Sequence, residues 1–382
     1  MSENPIRVVI ASGATGGHVY PCIVVAEAIR AVQPGARFLF IGATGKFDEE
    51  IIEQHGFEFA SIKVSGFYRG LSFSSLVRTA ATVANLVTLR PLFEALGHLR
   101  RFRADVVFGA GGYVSGPVIA AAWLKRIPRA ILEANAVPGL ANRLIARFVD
   151  CIYIGFEPVA KYLKVRGKVL LTGNPVRPVS EPRGRRMRDE MGSDATKMLV
   201  TIVGGSLGSK FLNDLVASFI PMIDSDADLS SRIEVFHCVG RRFWVDTESE
   251  LTELAESLSF RYTPVPYAED LSDLLAASDV VVCRGGASTL SEVALAGAAS
   301  IVIPWPNAAN NEQAKNAEYF AQQGASLLLE EHECDASTFL GRLTEVALND
   351  DARELMRFRS RQLARPDAAN DIARSLIGIA ER

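Results

Sequence analysis

The chain has 382 residues, of which 48% are hydrophobic and 22% are charged, as in an ordinary soluble globular protein. Its five cysteines are scattered without a CxxC pair, which argues against a disulfide framework and against a zinc site. The first 172 residues carry 20 Lys and Arg against 12 Asp and Glu, whereas the remainder is acidic. The basic half is expected to face an anionic lipid surface or phosphate groups, unless the excess only reflects solvated helix faces.

Short apolar runs alternate with helical patterns along the chain, which predicts parallel sheets. The predicted strands of the first half are Arg7–Ala11, Phe38–Ile41, Ala104–Phe108, Arg129–Leu132 and Cys151–Ile154. Those of the second half are Met198–Val203, Ile233–Val239, Tyr262–Pro264, Val280–Cys283 and Ser300–Ile303. The expected domains are 1–172 and 196–350, joined by a polar linker region at 173–195. A helical tail at 351–382 is expected to pack back on the N-terminal domain. The sequence thus predicts an α/β fold of two doubly wound domains facing each other across a cleft.

Two uncharged stretches, Val8–Ala26 and Val106–Leu124, have the length of a membrane span. Both contain several Gly and Ser residues and a Pro, so each is predicted to be a strand, a turn and a helix instead. The polar N-terminus runs directly into the first strand, and we expect no signal peptide.

Four glycine-rich loops follow predicted strands, at Gly13–His18, Gly109–Pro117, Gly204–Ser209 and Arg284–Thr289. Glycines let the backbone approach a ligand closely, and a helix N-terminus offers free N–H groups to an anion. One such loop is weak evidence, but two in each domain favour a bound diphosphate. The second strand is not followed by an acidic residue, so NAD is not the expected ligand, and no Walker motif for ATP is present.

Two further positions carry side chains that can bind the hydroxyl groups of a ribose or another sugar. Glu292 follows the fourth loop on the same helix, where a carboxylate can accept both hydroxyl groups of a ribose; a capping-box glutamate is the alternative. Gln313 and its neighbours suit sugar hydroxyls, although helix capping by Asn310 or Asn311 accounts for them locally. No metal site is expected, because Asp224–Asp228 is interpreted as a solvated loop.

Taken together, these loops resemble the MurG family, the GT-B-fold transferases that convert lipid I to lipid II in peptidoglycan synthesis. The likeness extends from the first strand to about Asn349, and its matching stretches are Gly13–His18, Gly111–Pro117, Gly173–Arg177, Gly204–Gly208, Cys283–Glu292 and Asn310–Ala317. The resemblance implies two Rossmann-like domains, a UDP-N-acetylglucosamine (UDP-GlcNAc) donor, the lipid-linked acceptor lipid I, no cofactor and no nucleic-acid partner.

The resemblance also implies a donor site. Its residues are Thr15, Gly16, Gly17, Asn135, Arg177, Ser206, Ala268, Ala287, Ser288, Thr289, Leu290, Ser291, Glu292 and Gln313. Ser206 is then a phosphate ligand, Ala268 a backbone contact to uracil, Glu292 the ribose ligand and Gln313 a ligand of the sugar hydroxyls. The acceptor diphosphate is assigned to Gly112, Tyr113 and Ser115.

The chain departs from the family pattern at four positions. Leu132 and Ala134 stand in a stretch that usually reads His-Glu-Gln-Asn, Leu207 stands where Gln is usual, and Gly285 stands where Ser is usual. The first two changes remove polar groups from the expected acceptor side. This leaves open a paralogue that acts on another lipid diphosphate, a UDP-sugar 2-epimerase, or a non-catalytic UDP-sugar-binding regulator.

The reaction implied is an inverting, metal-independent displacement, which needs a base for the acceptor hydroxyl and positive charge near the departing diphosphate. His18 is the candidate base, because a helix N-terminus lowers the pKa of an imidazole; a capping histidine is the alternative. Glu133 is the second candidate, and Arg177 is expected to stabilise the leaving group.

The segment 66–103 combines apolar side chains with six arginines and a single acid, Glu94. It is expected to be a peripheral contact with anionic lipid at the cytoplasmic face of the bacterial inner membrane. The alternative is an ordinary amphipathic core helix.

Overall fold

A computed structural model describes residues 5–13, 16–44, 48–64, 89–205 and 207–382. The chain forms two compact units. The first consists of Met1–Val176 together with Asp367–Arg382, and the second of Arg177–Pro366.

The first unit is built on a parallel sheet. Its elements are β1 (Arg7–Ala11), α1 (Gly16–Val32), β2 (Arg37–Ala43), α2 (Asp48–Gln54), β3 (Glu58–Ile62), α3 (Arg90–Phe102), β4 (Val106–Gly109), α4 (Gly112–Leu124), β5 (Arg129–Glu133), α5 (Leu140–Ile145), β6 (Cys151–Ile154) and β7 (Lys168–Leu171). The strand order is β3-β2-β1-β4-β5-β6-β7. The order reverses between β1 and β4, which is where ligands bind in open α/β sheets.

The second unit repeats this plan. Its elements are α6 (Glu181–Glu190), β8 (Met198–Val203), α7 (Lys210–Ser225), α8 (Ala227–Arg232), β9 (Ile233–Cys238), α9 (Arg241–Ser257), β10 (Tyr262–Val265), α10 (Leu271–Ala277), β11 (Val280–Cys283), α11 (Ala287–Ala296), β12 (Ala299–Val302), α12 (Glu312–Gln322), β13 (Leu327–Leu328), α13 (Ala336–Leu348) and α14 (Asp350–Leu363). The parallel strands lie in the order β10-β9-β8-β11-β12-β13, which places the switch point between β8 and β11.

The last helix, α15 (Ala368–Ala380), belongs to the first unit and packs against α1. It buries Ile372, Leu376 and Ile379 in the same apolar cluster as Ile10 and Val25. The two faces of the first sheet have separate apolar clusters, as expected for a parallel sheet covered on both sides.

The segment expected as a linker contains α6, which belongs to the second unit and packs against α10. Arg188 of α6 donates to Asp279 at 2.9 Å, and the same carboxylate accepts the N–H of Leu199 at the start of β8. A Cβ on Gly184 would lie 2.7 Å from backbone and side-chain carbons of Ala276, so only glycine allows this approach of the two helices.

The prediction of two parallel-sheet, Rossmann-like domains is confirmed. The two stretches long enough for a membrane span fold as β1 followed by α1 and as β4 followed by α4. Among the described residues, no helix has both the length and the apolar character needed to cross a bilayer.

Candidate functional site

The first two glycine loops meet at the carboxyl ends of β1 and β4, which are neighbours in the first sheet. A Cβ on Gly112 would lie 3.0 Å from the Cα of Gly13, so the two loops touch through their backbones. Gly111 and Gly112 have φ angles of +92° and +72°, which other residues rarely adopt. Ser115 is fully buried and donates to the carbonyl oxygen of Gly111 at 2.6 Å, so its hydroxyl holds the loop in place.

His18 lies in the first turn of α1 and contacts both loops. Its ring is 3.2 Å from the position that a Cβ on Gly13 would occupy and 3.4 Å from the corresponding position on Gly111. Burial lowers the pKa of His18 below its ordinary value. The imidazole is therefore neutral near pH 7, which is the protonation state that a general base requires.

Glu133 lies at the end of β5 and is 2% exposed. One carboxylate oxygen accepts the N–H of Asn135 at 3.1 Å, and the other accepts the N–H of Gly139 and the side-chain amide of Asn142, both at 2.9 Å. Burial raises the pKa of Glu133, while these hydrogen bonds oppose the shift. The carboxylate is occupied in holding the loop that contains Asn135.

Leu132 directly precedes Glu133 in β5, but its side chain does not face the site. Its side chain is 1% exposed and packs in the apolar cluster that contains Ala130 and Phe108. Ala134, two residues further along, accepts the side-chain amide of Asn174 through its carbonyl oxygen. The expectation that leucine at 132 takes a polar group away from the acceptor surface is therefore wrong, because this position points into the core.

The third glycine loop follows β8 in the second unit. Gly208 has a φ of +74°, and a Cβ there would lie 2.9 Å from the Cα of Gly240, which follows β9. Ser209 caps α7 by accepting the N–H of Leu212. Leu207, one of the departures from the family pattern, is 70% exposed.

A buried arginine joins this loop to the fourth one. Arg284 follows β11 and donates to the hydroxyl of Ser209 at 2.7 Å and to the carbonyl oxygen of Ile303 at 3.0 Å. It also forms an ion pair with Glu331 at 2.5 Å. Arg284 has no role in the site predicted from the sequence, although a charged residue directly after a fully buried strand requires such partners.

Helix α11 begins at the fourth loop and carries most of the predicted nucleotide ligands: Ala287, Ser288, Thr289, Leu290, Ser291 and Glu292. Leu290 is fully buried, so only its backbone can contact a ligand. Ser291 donates its hydroxyl to the carbonyl oxygen of Ala287, one turn earlier.

Glu292 and Arg177 interact electrostatically within the second unit. Burial raises the pKa of Glu292 to about 7, and the positive charge of Arg177 opposes this shift. Arg177 also donates to the carbonyl oxygen of Glu269 at 3.2 Å. The structure thus brings Arg177, Glu292 and the segment that begins at Ala268 together.

Gln313 lies in the first turn of α12, beside the fourth loop. Its side-chain carbonyl oxygen accepts the N–H of Trp305 at 3.0 Å, which leaves its amide nitrogen to donate. Asn316, one turn further along α12, donates to the carbonyl oxygen of Gly285 at 3.0 Å.

The predicted residues therefore form two groups, one in each unit. His18, Glu133, Asn135, Gly112 and Ser115 belong to the first, and Gly16, Gly17 and Tyr113 lie at the N-termini of α1 and α4 beside them. Arg177, Ala268, Glu292 and Gln313 belong to the second. Thr15 and Ser206 lie outside the described residues. No cluster of three or more His, Cys, Asp or Glu residues suited to a metal ion occurs in the part of the chain that the structure describes.

Comparisons with known proteins agree with this arrangement. Residues 8–154 match the glycosyltransferase family 28 N-terminal domain, and residues 199–372 match the family 28 C-terminal domain. The chain is 35% identical to the UDP-N-acetylglucosamine--N-acetylmuramyl-(pentapeptide) pyrophosphoryl-undecaprenol N-acetylglucosamine transferase of Caldanaerobacter subterraneus, over 96% of this chain and 98% of that protein. The chain belongs to the MurG family. It is a glycosyltransferase.

A second MurG family relative and two solved structures are also similar to the chain. The transferase of the same description from Symbiobacterium thermophilum is 34% identical over 99% of this chain and 97% of its own length. The crystal structure of Acinetobacter baumannii MurG superimposes with a TM-score of 0.76 at 25% identity and covers 98% of this chain and 100% of that one. The GT-B fold also includes the UDP-GlcNAc 2-epimerase of Neisseria meningitidis, which superimposes with a TM-score of 0.66 at 12% identity and shares the fold alone.

Proposed function

We propose that the protein transfers N-acetylglucosamine from UDP-GlcNAc to the 4-hydroxyl of the N-acetylmuramyl group of lipid I, which forms lipid II. The observation that carries the proposal is the nearly full-length similarity to relatives whose names state this donor and this lipid-linked acceptor. The grouping of Arg177, Glu292 and Gln313 on one unit supports a UDP-sugar site.

Besides Thr15, Gly16, Gly17 and Asn135 of the first unit, the proposed donor ligands belong to the second unit. The ionised carboxylate of Glu292 accepts the two ribose hydroxyls, and the backbone near Ala268 meets the uracil. Ser206 and the N–H groups at the start of α11 hold the diphosphate, because a helix N-terminus favours an anion. Gln313 donates its amide N–H to oxygens of the sugar.

In the displacement, His18 takes the proton from the acceptor hydroxyl as the new bond to the anomeric carbon forms. The bond from the anomeric carbon to the diphosphate breaks with inversion, and UDP leaves with the bonding pair. Arg177 stabilises the negative charge that develops on the leaving group. Gly112, Tyr113 and Ser115 form the loop that meets the acceptor diphosphate.

The acceptor is carried by a lipid, and we infer that the first unit contacts an anionic membrane surface on its cytoplasmic side. Five apolar residues are strongly exposed on the consecutive helices α3, α4 and α5, each of which packs against the next: Phe93 (64%), Trp123 (46%), Leu124 (52%), Leu140 (58%) and Leu144 (53%). Exposed basic residues accompany them: Arg90, Lys125, Arg126, Arg143 and Arg147. We call these residues the basic apolar face. Arg69 and Arg78, from the originally predicted segment, lie outside the described residues.

The deciding experiment measures UDP release from UDP-GlcNAc with and without a lipid I analogue. Release that requires the analogue and yields the lipid-linked disaccharide supports the proposal. Formation of the C2 epimer without any acceptor, either still linked to UDP or as the free sugar with UDP released, indicates a 2-epimerase. Tight donor binding without turnover under either condition indicates a regulator.

A further inference from the structure

Gly285 touches the first turn of α12 through backbone atoms alone. A Cβ built on Gly285 would overlap the carbonyl oxygen of Gln313 and lie 2.9 Å from its carbonyl carbon and 3.2 Å from its Cα. Real Cβ atoms are essentially never closer than 3.0 Å to a neighbour, and backbone cannot swing aside like a side-chain end. Any side chain at position 285 must therefore displace one of the two segments.

The loop that contains Gly285 is the more firmly held of the two. The preceding residue, Arg284, is buried and bonded to Ser209, Ile303 and Glu331. Helix α11 on the other side is anchored by α14, because Ser360 donates to the carbonyl oxygen of Val293. An added side chain would not easily move this loop or the start of α11.

The first turn of α12 has less support. It follows the largely exposed segment 305–311, whose last two residues, Asn310 and Asn311, have φ angles of +53° and +57°. The hydrogen bond from Trp305 to Gln313 and the one from Asn316 to Gly285 fix this turn in its present position. The contact at Gly285 sets how closely that turn can approach the loop.

We propose that Gly285 is a positioning residue for recognition of the donor sugar: its missing side chain lets the first turn of α12 sit against the nucleotide loop with Gln313 in place. The inference rests on the proposed function, in which Gln313 binds sugar oxygens. A side chain at 285 moves Gln313 outward and leaves Glu292, on the anchored α11, where it is. Sugar recognition weakens while nucleotide recognition persists.

The test compares the dissociation constants of UDP and of UDP-GlcNAc by calorimetry for Gly285→Ala and Gly285→Ser. Serine is the usual residue of the family here, but in this chain the backbone of Gln313 lies too close to position 285 for a Cβ. Since a misplacement of about 1 Å costs up to about a hundredfold in function, we expect UDP-GlcNAc to bind about tenfold to a hundredfold more weakly. UDP affinity stays within about twofold, because Glu292 and the start of α11, which bind the nucleotide in the proposed function, keep their positions. Gly341→Ala is the matched control: it adds the same methyl group within α13, where nothing lies within 4 Å, and leaves both affinities unchanged.

A double-mutant cycle with Gln313→Ala assigns the effect. If Gly285 acts through Gln313, adding Gly285→Ala to Gln313→Ala causes no further loss of UDP-GlcNAc affinity. Additive losses, or equal weakening of UDP and UDP-GlcNAc by Gly285→Ala, overturn the inference. If Gln313→Ala alone leaves UDP-GlcNAc binding intact, it is the proposed role of Gln313 that fails. Loss of all ligand binding by Gly285→Ala shows that the contact holds the fold instead, and also overturns it.

Discussion

Glu292 titrates near neutral pH, because burial raises its pKa to about 7. Only the ionised carboxylate can accept both ribose hydroxyls, so donor affinity should rise as pH rises through this value and level off above it. Between pH 8 and pH 6, UDP should bind about tenfold more weakly at the lower pH, since each pH unit below the pKa reduces the ionised fraction up to tenfold. Calorimetric titration with UDP across this range measures the effect.

Replacing Glu292 removes both the contact and its pH dependence. Glu292→Ala should weaken UDP binding by tenfold or more, because hydrogen bonds to a charged acceptor are worth roughly 1.5–3 kcal/mol each. Glu292→Gln should bind weakly at every pH from 6 to 8. Unchanged UDP affinity in Glu292→Ala would remove the basis for the nucleotide site.

His18→Ala should lower turnover by about 10² to 10⁴, which is the usual contribution of a general base. Donor affinity should change little. Burial lowers the pKa of His18, so the neutral imidazole persists below pH 6.5 and the rate should fall only at lower pH. The exposed His332 provides a control, since His332→Ala should leave turnover unaffected. Turnover that stays within a few fold of wild type in His18→Ala would assign the base to Glu133 or another group.

At the residue scale, the sequence predicted the chemical types at the site better than their roles. A carboxylate at 133 was recognised, but its role as the acceptor for Asn135, Gly139 and Asn142 depends on a loop that closes only in three dimensions. For a related reason, the sequence does not show that the side chain of Leu132 lies in the core. In a strand buried on both faces, neighbouring residues point to opposite sides, and composition does not show which side carries the ligand.

At the scale of elements, the sequence predicted the central strands of both sheets, because residues buried on both faces form continuous apolar runs. Of the four edge strands that the structure describes, it predicts β10 but not β3, β7 or β13. Their sequences are short or partly polar, as in Glu58–Ile62 with exposed Glu58 and Ser61. Such strands form because a neighbouring strand offers unpaired backbone groups. The residues that determine them therefore lie in the neighbouring strand, and the sequence of the edge strand alone does not predict it.

Helix α6 should depend on the pair between Arg188 and Asp279, whose side chains are 18% and 16% exposed. Asp279→Ala leaves Nη1 of the Arg188 guanidinium and the N–H of Leu199 without their acceptor and should destabilise the second unit by about 3 kcal/mol. Urea unfolding followed by circular dichroism measures the loss. Glu345→Ala breaks the exposed pair with Arg342 and should cost less than about 1 kcal/mol. Equal effects of the two changes would show that the Arg188 pair is no more than a surface contact.

At the scale of the whole molecule, the basic apolar face should bind vesicles that contain anionic lipid. Each basic residue near such a surface contributes on the order of 1 kcal/mol, and the attraction fades with salt. Co-sedimentation should therefore fall as salt rises and should weaken strongly when Arg90, Arg143 and Arg147 are changed together to Glu. Turnover on a lipid-embedded acceptor should fall in parallel, while UDP affinity remains unchanged.

The control for this experiment makes the same charge change on the second unit. Arg185, Arg232 and Arg342 each form an exposed ion pair within a helix, and their joint replacement by Glu should leave vesicle binding largely intact. Equal losses in both triple variants would mean that binding follows net charge. If the wild-type protein does not bind anionic vesicles at low salt, the proposed membrane contact is excluded.

The position of α15 has a consequence for biosynthesis. A ribosome delivers the chain from its N-terminus, and domains generally fold as they emerge. The second unit, 177–366, is continuous in sequence and can complete its core as soon as it has been translated. The first unit begins earlier but cannot, since the face of α1 that α15 covers stays open until residues 368–380 are made. The domain translated first is thus the last to be finished, and a nascent chain released at Pro366 would expose that apolar face to chaperones and proteases.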